Sequence, residues 1–203
     1  MRSLKRVIDV IGAASALVIL SPVLLAAAMA IRLRLGTPVL FRQSRAGLRG
    51  APFDVFKFRT MTDARDADGR LLPDAARLTR LGAFLRNTSI DELPQFWNVL
   101  RGDMSLVGPR PLTIIYVPRY SPEQFRRHDV RPGITGWAQV NGRNQLSWPE
   151  RFRQDVWYVD HWSLWLDLKI MAMTLARVVR REGISSSGHV TSGDFLGNEP
   201  TSH

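Results

Sequence analysis

The sequence contains no cysteine, which excludes disulfides, a thiol nucleophile and thiolate zinc sites. Its four histidines, His128, His161, His189 and His203, show no metal-ligand spacing, which argues against a histidine-held zinc. Acidic residues are scarce: 18 Asp and Glu stand against 28 Lys and Arg in 203 residues, a formal net charge of +10. Such a balance calls for anionic partners, whether nucleic acid, an acidic membrane surface or phosphorylated substrates. No nucleic-acid motif accompanies it, and the arginines are dispersed among Gly/Pro turns. No internal repeat is present, and the length suits one compact domain with an appendage.

The longest uncharged stretch runs from Val10 to Ile31, with Arg2, Lys5 and Arg6 before it and Arg32 and Arg34 after it. Its length approaches the ~20 residues that cross a hydrocarbon core. Ser21-Pro22 sits near its middle, where proline removes a helical hydrogen bond and bends or breaks the helix. Basic residues at both ends argue against a crossing, because Lys and Arg collect on the cytoplasmic side. A helix broken at Ser21-Pro22 could enter one leaflet and return, leaving both basic ends on one face. A straight transmembrane helix and a secretory signal with an Ala28-Met29-Ala30 cleavage pattern are the alternatives.

The chemistry centres on Thr88-Ser-Ile-Asp-Glu-Leu-Pro-Gln95. Asp91 and Glu92 are adjacent acids, with Arg86 just upstream and Gly108-Pro-Arg-Pro111 downstream. An acid pair among fixed cations suits metal-assisted phosphate chemistry. Local pattern alone offers another explanation: Ser89-x-x-Glu92 matches a capping box opening a helix to Leu100, with Gly102 after it. Two prolines around Arg110 would present its guanidinium from a stiff loop, suited to bidentate phosphate recognition or to pairing with a neighbouring acid.

Elsewhere, residues 39–44 and 53–60 read as two strands joined by a Gly- and Pro-containing turn, with Lys57 and Arg59 on one face. Residues 63–74 read as a charged surface loop, and Leu78, Leu81 and Leu85 mark a helix over 77–86. Ser121-Pro122 opens another helix, and residues 131–144 read as turn, short strand and Asn-Gly turn, offering Arg143 as an anion contact. Ser147-x-x-Glu150 is a capping box with a helix behind it, and Ser163 caps a last long helix to about Arg181. Asp167, inside that helix, needs the wet side or a cation such as Arg86 or Lys57. Trp157, Tyr158, Trp162 and Trp165 suit either a membrane interface or a core. From Ile184 onward the Ser-, Gly- and Thr-rich chain predicts a weakly ordered tail.

Taken together, Lys5-Arg-Val-Ile-Asp9, Ser21-Pro22, Phe56-Lys-Phe-Arg-Thr-Met61, the 88–95 motif, Gly102-Asp-Met-Ser105, Gly108-Pro-Arg-Pro-Leu112 and Arg131 to Asn144 resemble the monotopic phosphoglycosyl transferases, the bacterial sugar transferase family. The shared order of these motifs over nearly the whole chain carries the resemblance. It implies transfer of a sugar 1-phosphate from a UDP-sugar to polyprenyl (undecaprenyl) phosphate, with Mg²⁺ and release of UMP, at the bacterial cytoplasmic membrane. It further implies Asp91 as nucleophile, forming a covalent phosphosugar intermediate, and Glu92 as metal ligand or orienting group beside it. Lys57, Arg86, Arg110, Arg143 and Asp167 would surround the phosphates and metal. The expected fold is α/β and mostly helical: a single membrane-associated domain with a re-entrant helical hairpin (1–36), a catalytic domain facing the cytoplasm (37–183) with amphipathic interfacial helices and a small β-hairpin, and a tail (184–203). Expected partners are inner-leaflet anionic lipids, and a second copy or other enzymes of the pathway. Length and the tail around Thr191 to Asn198 look closest to the diacetylbacillosamine phosphotransferases, so an N-acetylated sugar is the expected donor. The rival readings are a membrane-tethered basic binding module and a catalytically silent scaffold.

Overall fold

The computed structural model describes residues 2–142, 146–180 and 195–198. Two helices open the chain, α1 (Arg2–Ile19) and α2 (Ser21–Arg34), followed by strands β1 (Leu40–Ala46) and β2 (Pro52–Phe58). Next come the single turn α3 (Asp74–Arg77), then α4 (Arg80–Asn87), α5 (Gln95–Arg101), β3 (Ser105–Val107) and the short α6 (Pro122–Phe125). Strand β4 (Gly133–Thr135) leads into α7 (Trp137–Asn141), α8 (Trp148–Asp160) and α9 (Leu164–Arg180). β1 and β2 form an antiparallel hairpin with Leu40 opposite Phe58, and β3 pairs in parallel with β4.

The first two helices meet at Leu20–Ser21 and are bent by 61°. Pro22 stands in the first turn of α2, where its missing N–H has no intrahelical partner to lose. No single helix among the described residues is long and apolar enough to cross a membrane, whereas this bent pair is by length and composition. Leu4, Ile11, Val18, Ile19, Leu25, Met29 and Leu33 all expose more than half of their surface.

One face of α1 is polar and is fastened to the rest of the molecule. Lys5, Asp9 and Ala13 recur at four-residue spacing and so share that face. The Lys5 ammonium donates to the Val107 carbonyl at 3.1 Å and to the Asp167 carboxylate at 2.6 Å. Arg6 donates to the carbonyls of Val99 and Leu100, at 2.6 and 2.9 Å, completing the C-terminal turn of α5. Asp9, buried, accepts from the Ser105 hydroxyl and the Leu106 N–H, each at 3.0 Å. Ala13 packs with Val55, Val99 and Met104, and Ala27 and Ile31 of α2 pack with Phe58 and Leu85. Residues 1–36 therefore share their cores with the elements that follow.

Three regions of the fold depart from expectation. Residues 77–86 divide, because Thr79 is extended and its side chain caps Gly82, so the helix starts at Arg80. The Asn141-Gly142 pair, expected as a turn directly after a short strand, instead ends the helix α7, and the strand ahead of that helix pairs with β3, which the sequence pattern did not suggest. Three-residue strands hold too few positions to show an alternation. The Ser121 and Ser147 capping boxes both form. The tail also departs from expectation. Phe195 is buried among Tyr116, Tyr120, Trp148 and Phe152, while Asn198 donates to the Arg119 carbonyl at 3.2 Å. An aromatic ring with four aromatic neighbours secures what composition alone reads as loose.

The aromatic residues of the last two helices separate by role. Tyr158 is buried and donates to Asp167 at 2.7 Å, Trp162 Nε1 donates to Asp167 at 3.1 Å, and Trp165 is 76% exposed. Asp167 thus accepts from Lys5, Tyr158 and Trp162, and its cation is Lys5 rather than Arg86 or Lys57. Asp167→Ala leaves the partly buried Lys5 ammonium without its counter-ion, so unfolding free energy is expected to fall by roughly 2 kcal/mol. Asp167→Asn, which keeps an acceptor for the ring donors, is expected to lose less; denaturant titration in detergent measures both, and equal stability of all three proteins contradicts the assignment.

Candidate active site

Four segments converge on the acid pair. β2 delivers Lys57 from its last turn of pleat. Thr60 follows, and its backbone presses against α4: a Cβ on Gly82 would lie 1.9 Å from the Thr60 carbonyl oxygen. That close approach brings Arg86, at the end of α4, within reach of Thr60, to whose hydroxyl its Nε donates at 3.1 Å. The third segment is the turn 88–94 itself, and the fourth is the Arg110 loop, whose carbonyl accepts from Arg127 Nη2 at 2.9 Å. Arg127 is in turn paired with Asp155 of α8 at 2.7 Å, both of them buried.

The turn is not a capping box. Ser89 adopts the left-handed conformation, with φ 56°, and its side chain caps nothing; a 3₁₀ turn covers Ile90–Glu92, and α5 starts only at Gln95. Left-handed backbone is unfavourable for a side chain other than glycine, by about 1–2 kcal/mol, and such residues gather at functional turns. Its effect here is to turn Glu92 away from the helix end. Glu92 accepts from Lys57 at 2.7 Å and from Arg110 at 2.6 and 3.4 Å. Gly102, in the left-handed region with φ 93°, ends α5 as expected.

Asp91 is only 8% exposed, and among the described residues no side chain donates a hydrogen bond to it. Burial pushes its carboxyl up to about 6, and the neighbouring Glu92 charge pushes the same way, against Lys57, Arg86 and Arg110. Burial would raise Glu92 also, but Arg110 and Lys57 override it and hold Glu92 well below the ordinary carboxylate range. Arg110 is raised by Glu92. The adjacent acids thus differ in kind: Glu92 is a fixed counter-ion, and Asp91 is a desolvated, more basic carboxylate with its oxygens uncommitted.

Of the residues the sequence put forward, Lys57, Arg86, Asp91, Glu92 and Arg110 come together here. Asp167 belongs to the separate Lys5–Tyr158–Trp162 network, and Arg143 lies outside the described residues. Ser21 and Pro22 stand at the bend of the two N-terminal helices. Thr60 and Arg127, which orient Arg86 and Arg110, were not anticipated. Thr60 lies inside the quoted Phe56 to Met61 motif, whereas Arg127 is distinguished only by being an arginine in a helical turn.

Among the described residues no three His, Cys, Asp or Glu side chains gather to cage a metal ion. Mg²⁺ does not need such a cage, since it binds through one or two carboxylates, water and substrate phosphates. The uncommitted oxygens of Asp91, beside Glu92, fit that mode.

Residues 1–181 match the family described as bacterial sugar transferase. The chain belongs to the bacterial sugar transferase family. It is 54% identical to the Bacillus subtilis (strain 168) protein named uncharacterized sugar transferase EpsL, over 96% of each chain. It is 49% identical to a Caulobacter vibrioides UDP-glucose:undecaprenyl-phosphate glucose-1-phosphate transferase, over 84% of this chain and 68% of that one. An Escherichia coli (strain K12) protein of the same activity name is 42% identical over 86% of this chain but only 40% of its own length. The Caulobacter and Escherichia relatives are thus, by name, glucose-1-phosphate transferases acting on undecaprenyl phosphate.

A carboxyl whose folded value is raised favours the fold while it is protonated, and loses that advantage as pH rises. For Asp91 the loss runs from about 4, the unfolded value, to about 6. Asp91→Asn removes this penalty, so at pH 7–8 the variant is expected to be more stable than the parent, by up to about 3 kcal/mol. The difference should close below pH 4. Melting curves across this range measure it, and a variant less stable at pH 8 contradicts the burial of a charged Asp91.

Proposed function

We propose that this chain transfers a sugar 1-phosphate from a UDP-sugar to polyprenyl phosphate in two displacements, with Asp91 as nucleophile. The observation that carries the reading is the split between the two acids: Glu92 is bound by Lys57 and Arg110, while Asp91 accepts from no side chain among the described residues and its carboxyl is pushed up to about 6 by burial. An Asp91 oxygen attacks the phosphorus that bears the sugar. The bond to the nucleotide phosphate breaks, and UMP leaves with the bonding electrons. An oxygen of polyprenyl phosphate then attacks the same phosphorus, and the Asp91 carboxylate is released. Two displacements let one site serve a soluble donor and a lipid acceptor in turn.

The chain's own groups meet the electrostatic demand of bringing a carboxylate to a diphosphate. Lys57, Arg86 and Arg110 flank the acid pair, and fixed cations at a site of low dielectric stabilise developing negative charge without reorganising. Glu92 fixes the planar fork of Arg110, which a lysine could not reproduce. Bound Mg²⁺, with Asp91 and Glu92 as its protein donors, would further neutralise phosphate oxygens.

The bent helix pair, with its exposed Val18, Ile19, Leu25 and Leu33, supports the reading of a re-entrant hairpin dipping into one leaflet. Its basic flanks would then rest on anionic headgroups of the cytoplasmic face. The named relatives point the donor search at UDP-glucose first, and a UDP-galactose-lipid carrier transferase of Erwinia amylovora, 41% identical, adds UDP-galactose. The tail's likeness to the bacillosamine enzymes keeps N-acetylated donors in the same panel.

Membrane-embedded protein given Mg²⁺, polyprenyl phosphate and the correct donor is expected to release UMP. Chelation with EDTA should abolish release and Mg²⁺ restore it; Asp91→Asn should lose at least a thousandfold in kcat, and activity should fall as pH drops below about 6. UMP release by a folded Asp91→Asn protein at the parental rate excludes Asp91 as nucleophile, whereas a folded parent protein that releases UMP from no donor favours the scaffold or binding-module readings.

A further inference from the structure

The segment Phe195-Leu-Gly-Asn198 lies beyond the residues 1–181 that match the family, yet both of its ends are docked. The Phe195 ring packs with its centroid 5.0 Å from that of Phe152 and 5.8 Å from those of Tyr116, Tyr120 and Trp148. The Arg119 guanidinium donates to the Phe195 carbonyl. Gly197 has a φ of 118°, which side-chain-bearing residues rarely adopt, and it turns the chain so that Asn198 meets Gln124. There the two amides pair: Gln124 Nε2 donates to Asn198 Oδ1 at 2.6 Å, and Asn198 Nδ2 donates to Gln124 Oε1 at 3.1 Å.

This segment closes the packing behind the Arg110 loop. Leu112, two residues past Arg110, is buried in one cluster with Tyr116, Phe152 and Phe195. Its carbonyl accepts from the Ala46 N–H at 3.0 Å, and the Arg110 carbonyl accepts from Arg127 Nη2 at 2.9 Å. The Arg127 guanidinium lies over the rings of Phe152 and Tyr120, 5.7 and 5.9 Å from their centroids, and both rings pack on Phe195. Arg127 is neutralised by Asp155 at 2.7 Å, so it gives the loop a position and no net charge. Phe195 thus supports Arg110 by two routes, through Leu112 and through the rings beneath Arg127. A planar guanidinium needs a fixed direction to meet a carboxylate, and here that direction brings Arg110 Nη2 to Glu92 at 2.6 Å.

We infer that Phe195 is a positioning residue for Arg110: the C-terminal segment is a latch whose ring, set behind Leu112 and Arg127, keeps the Arg110 guanidinium on Glu92. The inference rests on the reading under Proposed function and deepens it, because Glu92, once engaged by Arg110, leaves Asp91 as the uncommitted acid. Interiors are close-packed, and deleting a buried ring leaves a space into which Leu112, Tyr116 and Phe152 relax. Arg110 then keeps its charge and loses its aim. The ring acts through the loop and not on the substrate.

The test uses the full chain. Phe195→Ala is expected to lower kcat for UMP release about tenfold, because a misaimed group loses its hold on the transition state. Phe195→Leu, which refills much of the space, should recover most of that rate. In an Arg110→Lys background a flexible ammonium reaches Glu92 without a fixed direction, so adding Phe195→Ala should cost less than about twofold. Hydrogen exchange reads the latch without turnover: in Phe195→Ala the peptide over residues 106–116 should exchange faster, while residues 52–58 of β2 keep parental protection. An equal loss of rate with and without Arg110→Lys overturns the inference, as does parental exchange over 106–116 in Phe195→Ala. A folded parent protein that releases UMP from no donor overturns the reading beneath it instead, and the exchange measurement still decides whether Phe195 holds the loop.

Discussion

Glu92 shares its oxygens between the Lys57 ammonium and the Arg110 guanidinium, and that sharing determines what its neighbour can be. With both cations engaged by Glu92, Asp91 feels them only at a distance and is left desolvated beside a permanent negative charge. A basic carboxylate results, in a site that is nevertheless positive as a whole. The left-handed Ser89 makes the division possible, because a regular helix start would have turned Glu92 back onto the backbone of Ser89. The positions of Lys57 and Arg110 then depend on β2 and on the Arg127–Asp155 pair, so the geometry of the acid pair reaches into most of the fold.

The bent N-terminal helices connect to this arrangement through polar contacts rather than through their apolar surface. Lys5 and Asp9 of α1 hold the two ends of β3, at Val107 and Ser105, and the Arg110 loop starts at the next residue, Gly108. A segment whose exposed surface is apolar is thus rigidly attached to a loop that presents a guanidinium to Glu92. Such an attachment fixes the depth of the site relative to whatever surface the apolar side chains enter.

Much of this was legible in the sequence where a local rule and a tertiary demand agree. The bend at Ser21-Pro22, the hairpin of β1 and β2, the Ser121 and Ser147 caps and the Gly102 stop each follow from one residue's backbone chemistry. The failures share one cause. Ser89-x-x-Glu92 has the pattern of a cap, but tertiary cations outcompete the backbone N–H for Glu92. Asp167 was given a plausible cation, but Lys5, distant in sequence by 162 residues, takes it. Phe195 was lost in a polar tail because a single aromatic has no period.

The central claim is that Asp91 itself takes up the phosphosugar. Intact-mass analysis of the protein mixed with UDP-sugar and Mg²⁺, with no lipid acceptor, tests it most directly. A mass gain equal to one sugar phosphate is expected, located on the peptide that contains Asp91, lost on adding polyprenyl phosphate and missing in Asp91→Asn. UMP release at full rate with acceptor but no such adduct, under conditions that trap acyl phosphates, would contradict the covalent mechanism and leave a direct transfer in its place.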